Sequence, residues 1–151
     1  MQTTYSEAEL FENFNALFAT YDLNAELDVF KLGRFQFLRK KKAKHELQAL
    51  FIALWKLALK QSFPEDSENY FLRYLQEKKL DVDNAGNATT MYRSIEVYNT
   101  LLTEHGTRNF SSVADFLTNQ IVTDSDRKQH ITLKLALTIR STYNMIFEKL
   151  F

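Results

Sequence analysis

The sequence predicts an all-α fold, a single-domain irregular bundle of about five or six helices over residues 1–151. Two observations carry that expectation. With 3 Gly and 1 Pro, the chain lacks the turn chemistry that hairpins demand. Apolar residues also recur at three-and-four spacing along most of its length. A chain of 151 residues is the size of one domain and can bury a core without disulfides or a metal.

The first helix is expected to open at Ser6, with Ser6 and Glu9 as a capping box and Tyr5 stapled against Leu10. Its core face reads Leu10, Phe11, Phe14, Leu17, Phe18 and Tyr21. Asn24 is the candidate start of a short helix before the break at Gly33. A long helix follows from about Leu38 to Ser62, apolar nearly all round from Leu47 to Leu59 except for a stripe of Gln48, Lys56 and Lys60. Such a helix belongs at the centre of a bundle.

Pro64 ends it, and Glu65, Asp66 and Ser67 supply acids and a cap for a helix facing inward through Phe71, Tyr74 and Leu75. Thr89 or Thr90 starts the next, carrying Met91, Ile95, Tyr98 and Leu102, with Gly106 at its C-terminal cap. Ser112 and Asp115 form the expected cap of a short helix through Ile121. The last helix, from about Asp124, has Ile131, Leu135, Ile139, Ile146 and Leu150 on one face and Leu133, Leu137, Phe147 and Phe151 on another. Two apolar faces predict two sets of neighbours and a C-terminus docked in the core or in a partner.

Composition excludes several chemistries. Without Cys there are no disulfides, thiol nucleophiles, zinc ribbons or iron–sulfur ligands, which suits a reducing compartment. Met1 to Glu9 carries no secretory pattern, and the Leu47–Leu59 stretch is shorter than the ~20 residues a membrane span needs. The expectation is a cytoplasmic protein with no membrane span. Formal net charge is +0, so any affinity for polyanions must come from a local patch.

That patch is the basic run Arg34, Arg39, Lys40, Lys41, Lys42 and Lys44, with no acid between Arg34 and Glu46. Acids gather ahead of it at Glu7, Glu9, Glu12, Asp22, Glu26 and Asp28. The run can neutralise phosphates on nucleic acid, with Phe35 and Phe37 stacking on bases, or bind an acidic partner. Alternatively it is a solvated helix face that pairs with the acidic first helix of the same or another subunit.

Other candidates resolve into structural roles. Asp81, Asp83, Gly86 and Asn87 resemble the start of an EF-hand loop, but Ala85 occupies a ligand position and Tyr92 stands where the bidentate Glu belongs, leaving a surface loop. Asp126 and His130 share a helix face near Asp124, which a capped N-terminus explains without a metal. His105 sits in a last helical turn and His45 on the surface beside Glu46. Val113–Ile121 followed by a polar helix start at Asp126, Arg127, Lys128 and Gln129 resembles a helix-turn-helix, but the second helix turns apolar from Ile131 onward, as packed bundle helices do.

No nucleophile elbow, paired-acid signature or phosphate-cradling glycine loop is present. The expectation is therefore a non-enzymatic helical protein–protein interaction or regulatory protein without cofactor or metal. An aromatic fraction of 14%, from 13 Phe, 7 Tyr and 1 Trp, points to rings left over for self-association as a homo-oligomer. The alternatives are a nucleic-acid-associated regulator using residues 34–44 and a bundle that encloses an apolar small ligand.

Overall fold

The computed structural model describes residues 5–21, 23–105 and 109–151, so the acid at Asp22 and the cap expected at Gly106 lie outside the described residues. Among the described residues there are seven helices: α1 Glu7–Thr20, α2 Asn24–Val29, α3 Phe37–Ser62, α4 Ser67–Glu77, α5 Thr90–His105, α6 Ser111–Ile121 and α7 Ser125–Leu150. The only extended pairing described is an isolated bridge between Val82 and Ala88. The short helix expected from Asn24 is α2, and with it the count reaches seven where about five or six were expected.

α3 is the hub, touching α2, α4, α5, α6 and α7. Between Leu47 and Leu59 every residue is buried except Gln48 and Lys56. Lys56 sets its ammonium over the Phe71 ring, 5.1 Å from the centroid, and pairs with Glu68 at 3.2 Å, which lets a lysine occupy an otherwise apolar girdle. On one side, α1 and α4 close an aromatic seam over Trp55. Phe14 stacks on the indole at 4.2 Å between centroids, while Tyr74 at 4.7 Å and Phe11 at 6.3 Å approach edge-on. Arg73 of α4 donates to Glu7 of α1 at 2.6 Å, tying the two covering helices together.

Several helix starts follow the expected chemistry. Ser6 Oγ accepts from Glu9 N at 3.2 Å, Thr89 Oγ1 accepts from Tyr92 N at 3.0 Å, and Asp124 Oδ1 accepts from Asp126 N at 3.0 Å. Two caps differ. α6 begins two residues earlier than a Ser112 cap would place it, and Asn109 Oδ1 accepts from the Ser111 N–H at 2.8 Å. α4 has no side-chain cap: the Ser67 N–H instead donates to Phe63 O at 2.9 Å, and the short connection from α3 buries Ser67.

The second apolar face of α7 is a correction. Ile131, Leu135, Ile139, Ile146 and Leu150 are buried, but Leu133 and Leu137 are 60% and 68% exposed and Phe147 is 37% exposed. The helices that pack on α7 include α1, α2, α3 and α6, and they leave Leu133 and Leu137 uncovered. The C-terminus itself is docked as expected. Leu150 is buried and Phe151 meets Phe63 edge-on at 6.1 Å and Phe147 at 5.9 Å. Deleting Leu150 and Phe151 is expected to lower the melting temperature by roughly 5–10 °C. An unchanged thermal melt would mean that these contacts do not close the bundle.

A polar clasp lies in the same half. Glu26 is 3% exposed and its Oε1 accepts from Tyr21 Oη at 2.5 Å, with Thr142 Oγ1 of α7 at 2.9 Å. The interior space beside Glu26 measures about 10 Å³, room for one water and too little for an apolar ligand.

Candidate interaction surface

The basic run occupies the N-terminal end of α3, and the turn leading into it determines what it displays. Phe30 is buried and ends α2, after which Lys31 takes a left-handed φ of 50° and swings the chain outward. Gly33 N donates to Gln36 Oε1 at 2.7 Å and Gln36 N donates to Gly33 O at 3.1 Å, closing a tight turn before Phe37. The three large apolar side chains that follow find no cover. Phe35 is 90%, Phe37 72% and Leu38 84% exposed. They are the most exposed large apolar residues described.

The six predicted basic residues separate into two roles. Arg39 is half-buried and its guanidinium donates to Thr123 Oγ1 at 3.1 Å, fixing the start of α3 to the α6–α7 connection. Arg34, Lys40, Lys41, Lys42 and Lys44 are exposed, and among the described residues none pairs with a carboxylate. Among the described residues no ion pair joins the run to the acidic first helix, whose Glu7 is engaged by Arg73 of α4. Cations in the first turns of a helix also oppose its dipole, and α3 has no acid there to offset them.

Glu46, the carboxylate nearest in sequence, is turned inward. Tyr98 Oη donates to its Oε2 at 2.6 Å and Ser94 Oγ to its Oε1 at 3.2 Å, with His45 Nδ1 at 3.8 Å. Burial, then the hydrogen bond to Glu46, pushes the Tyr98 phenol far above its usual value. These contacts set α5 beside α3 in the same direction. A shallow open groove of about 550 Å³ results, in which Lys41, Lys42 and His45 face Thr90 and Arg93, with Leu38 at one end. Arg93 is therefore a member of the cationic surface that sequence reasoning missed. Only the packing of α5 on α3 reveals it.

The remaining candidates have structural explanations. Asp83 Oδ1 accepts from Ala85 N and Asn87 N, both at 2.9 Å, and Gly86 takes a φ of 83°, so that carboxylate closes its own loop. Among the described residues no group of three His, Asp or Glu side chains is arranged to hold a metal. The polar start of α7 is exposed at Arg127 and Gln129, while the buried face from Ile131 onward packs into the bundle, with contacts to α6, α3, α2 and α1. No helix among the described residues is long and apolar enough to cross a membrane.

Nearly all described aromatic rings are absorbed by the core. Phe35 and Phe37, and in part Phe147, are the ones left outside. The aromatic surplus and the uncompensated charge thus fall at the same end of the bundle. No family model, curated protein or solved structure matches this chain.

Proposed function

We propose that this chain is a non-enzymatic interaction protein that docks an anionic partner through the N-terminal end of α3. The observation that carries the reading is the set of exposed cations Arg34, Lys40, Lys41, Lys42 and Lys44, which pair with no carboxylate among the described residues, beside three uncovered apolar side chains around the start of a helix. A solvated helix face is usually studded with both signs of charge and needs no exposed phenylalanines. Glu46, the acid that closes the run in sequence, is engaged by Tyr98 and Ser94.

The test is retention on a polyanionic resin. Although its formal net charge is +0, the protein is expected to be retained at low salt and to elute as salt screens the patch. The K40E/K41E/K42E variant is expected to pass through unretained. K60E/K149E, altered near the opposite ends of α3 and α7, is expected to elute with the unaltered protein. A wild-type protein that is not retained, or equal behaviour of the variants, would defeat the reading.

Self-association is a second part of the proposal, favoured by the uncovered α7 stripe of Leu133 and Leu137. Sedimentation at micromolar concentration is expected to show a species larger than a monomer, which L133S/L137S reduces to a monomer. A wild-type monomer removes this part.

A further inference from the structure

Resting on that reading, we infer that the anionic partner is a lipid surface, into which Phe35, Phe37 and Leu38 insert while the surrounding cations hold the headgroups. Phe35 stands on the outward turn and Phe37 and Leu38 on the first turn of α3, at 90%, 72% and 84% exposure, with Leu38 at the border of the groove. A peptide or folded protein would have to bring its own pocket for each of these side chains. A nucleic acid offers stacking faces for the two rings but nothing for Leu38, whereas the acyl boundary of a bilayer accepts all three without a preformed pocket.

The charges sit where such insertion needs them. Arg34 precedes the trio, Lys40, Lys41 and Lys42 follow it by one helical turn, and Arg93 joins from α5. Basic residues beside an inserted apolar tip are attracted by the negative potential of an anionic leaflet, which extends about one Debye length from the surface. The groove flanking Leu38 places Lys41, Lys42 and Arg93 together, an arrangement suited to a headgroup phosphate whose acyl chains lie along Leu38. Arg39, held to Thr123 at 3.1 Å, anchors the base of this tip to the rest of the bundle. The protein would therefore lie on a membrane by one end of α3, without any helix crossing it.

The test compares cosedimentation with vesicles of phosphatidylcholine alone and with vesicles in which about a third of the lipid is phosphatidylserine. The wild-type protein is expected to pellet with the anionic vesicles only, and to be released by salt. F35S/F37S/L38S removes side chains outside the core, so its melting temperature and its retention on the polyanionic resin should stay near those of the wild type. Its apparent affinity for anionic vesicles is expected to fall at least about 100-fold.

Equal vesicle binding by that variant, or no wild-type binding, would overturn the lipid assignment. So would tighter binding of single-stranded oligonucleotide or an acidic peptide than of vesicles. If vesicle binding fails while lysine-dependent retention on the resin persists, the inference falls and the proposed function stands. If retention fails as well, both fall.

Discussion

Replacing Trp55 with alanine is expected to destabilise the protein by about 3–5 kcal/mol and to lower its melting temperature by roughly 10–15 °C. The indole is 0% exposed and is held by Phe14, Phe11, Tyr74 and Phe71, which come from α1 and α4. Truncation would leave a cavity where three helices meet, and close packing allows it to relax only in part. Trp55 Nε1 is buried with no hydrogen-bond partner among the described residues, so the wild-type side chain already carries a desolvation penalty. Trp55→Phe is accordingly expected to cost only about 1–2 kcal/mol, because it gives up volume but also the unpaired donor. A Trp55→Ala protein that melts within a degree or two of the wild type would contradict the seam as described.

Alkaline pH is expected to have the next largest effect. Burial raises the phenols of Tyr98 and Tyr74 well above their usual value, helped by Glu46 for Tyr98 and by the negative charge of Glu77 for Tyr74. In the unfolded chain both would ionise near pH ~10. A native pKa above the unfolded one means that the folded state keeps its protons while the unfolded state loses them. Stability is thus complete below pH ~10 and declines above it, by about 1.4 kcal/mol per pH unit for each phenol. Melting temperatures are expected to be level from about pH 8 to about pH 9.5 and to drop steeply beyond it. Y74F/Y98F should flatten that drop. A melt insensitive to pH up to about 12 would show that these hydroxyls reach solvent.

Much of the fold was legible because local signals and packing agree. Ser6, Thr89 and Asp124 cap the helices they were expected to open, since each needs only its own oxygen and an amide two or three residues on. The Leu47–Leu59 stretch identified the hub because a helix with almost no polar side has to be surrounded. The cap of α6 was harder to read, as Asn109 and Ser112 both offer suitable oxygens and only the backbone path chooses between them.

Long-range facts were less accessible. Periodicity shows that Leu133 and Leu137 share a face, but not that this face is left exposed. Glu26 sits in an acidic stretch that looks solvated, and its burial depends on Tyr21 and on Thr142, far away in the chain. At the candidate site, the run 34–44 and its phenylalanines were visible as letters, whereas Arg93 joins them only through the alignment of α5 on α3. The inward turn of Glu46, which leaves the run uncompensated, likewise needed the Tyr98 and Ser94 hydroxyls placed in space.

Because Trp55 is the chain's sole indole and lies wholly within the aromatic seam, its fluorescence isolates one locality. Native emission should be blue, as befits an indole away from water, and should redden only when α1 or α4 peels from α3. Denaturant titrations followed by this signal and by far-ultraviolet circular dichroism would therefore compare the opening of that seam with the loss of helix as a whole. Coincident curves would mark a single cooperative unit.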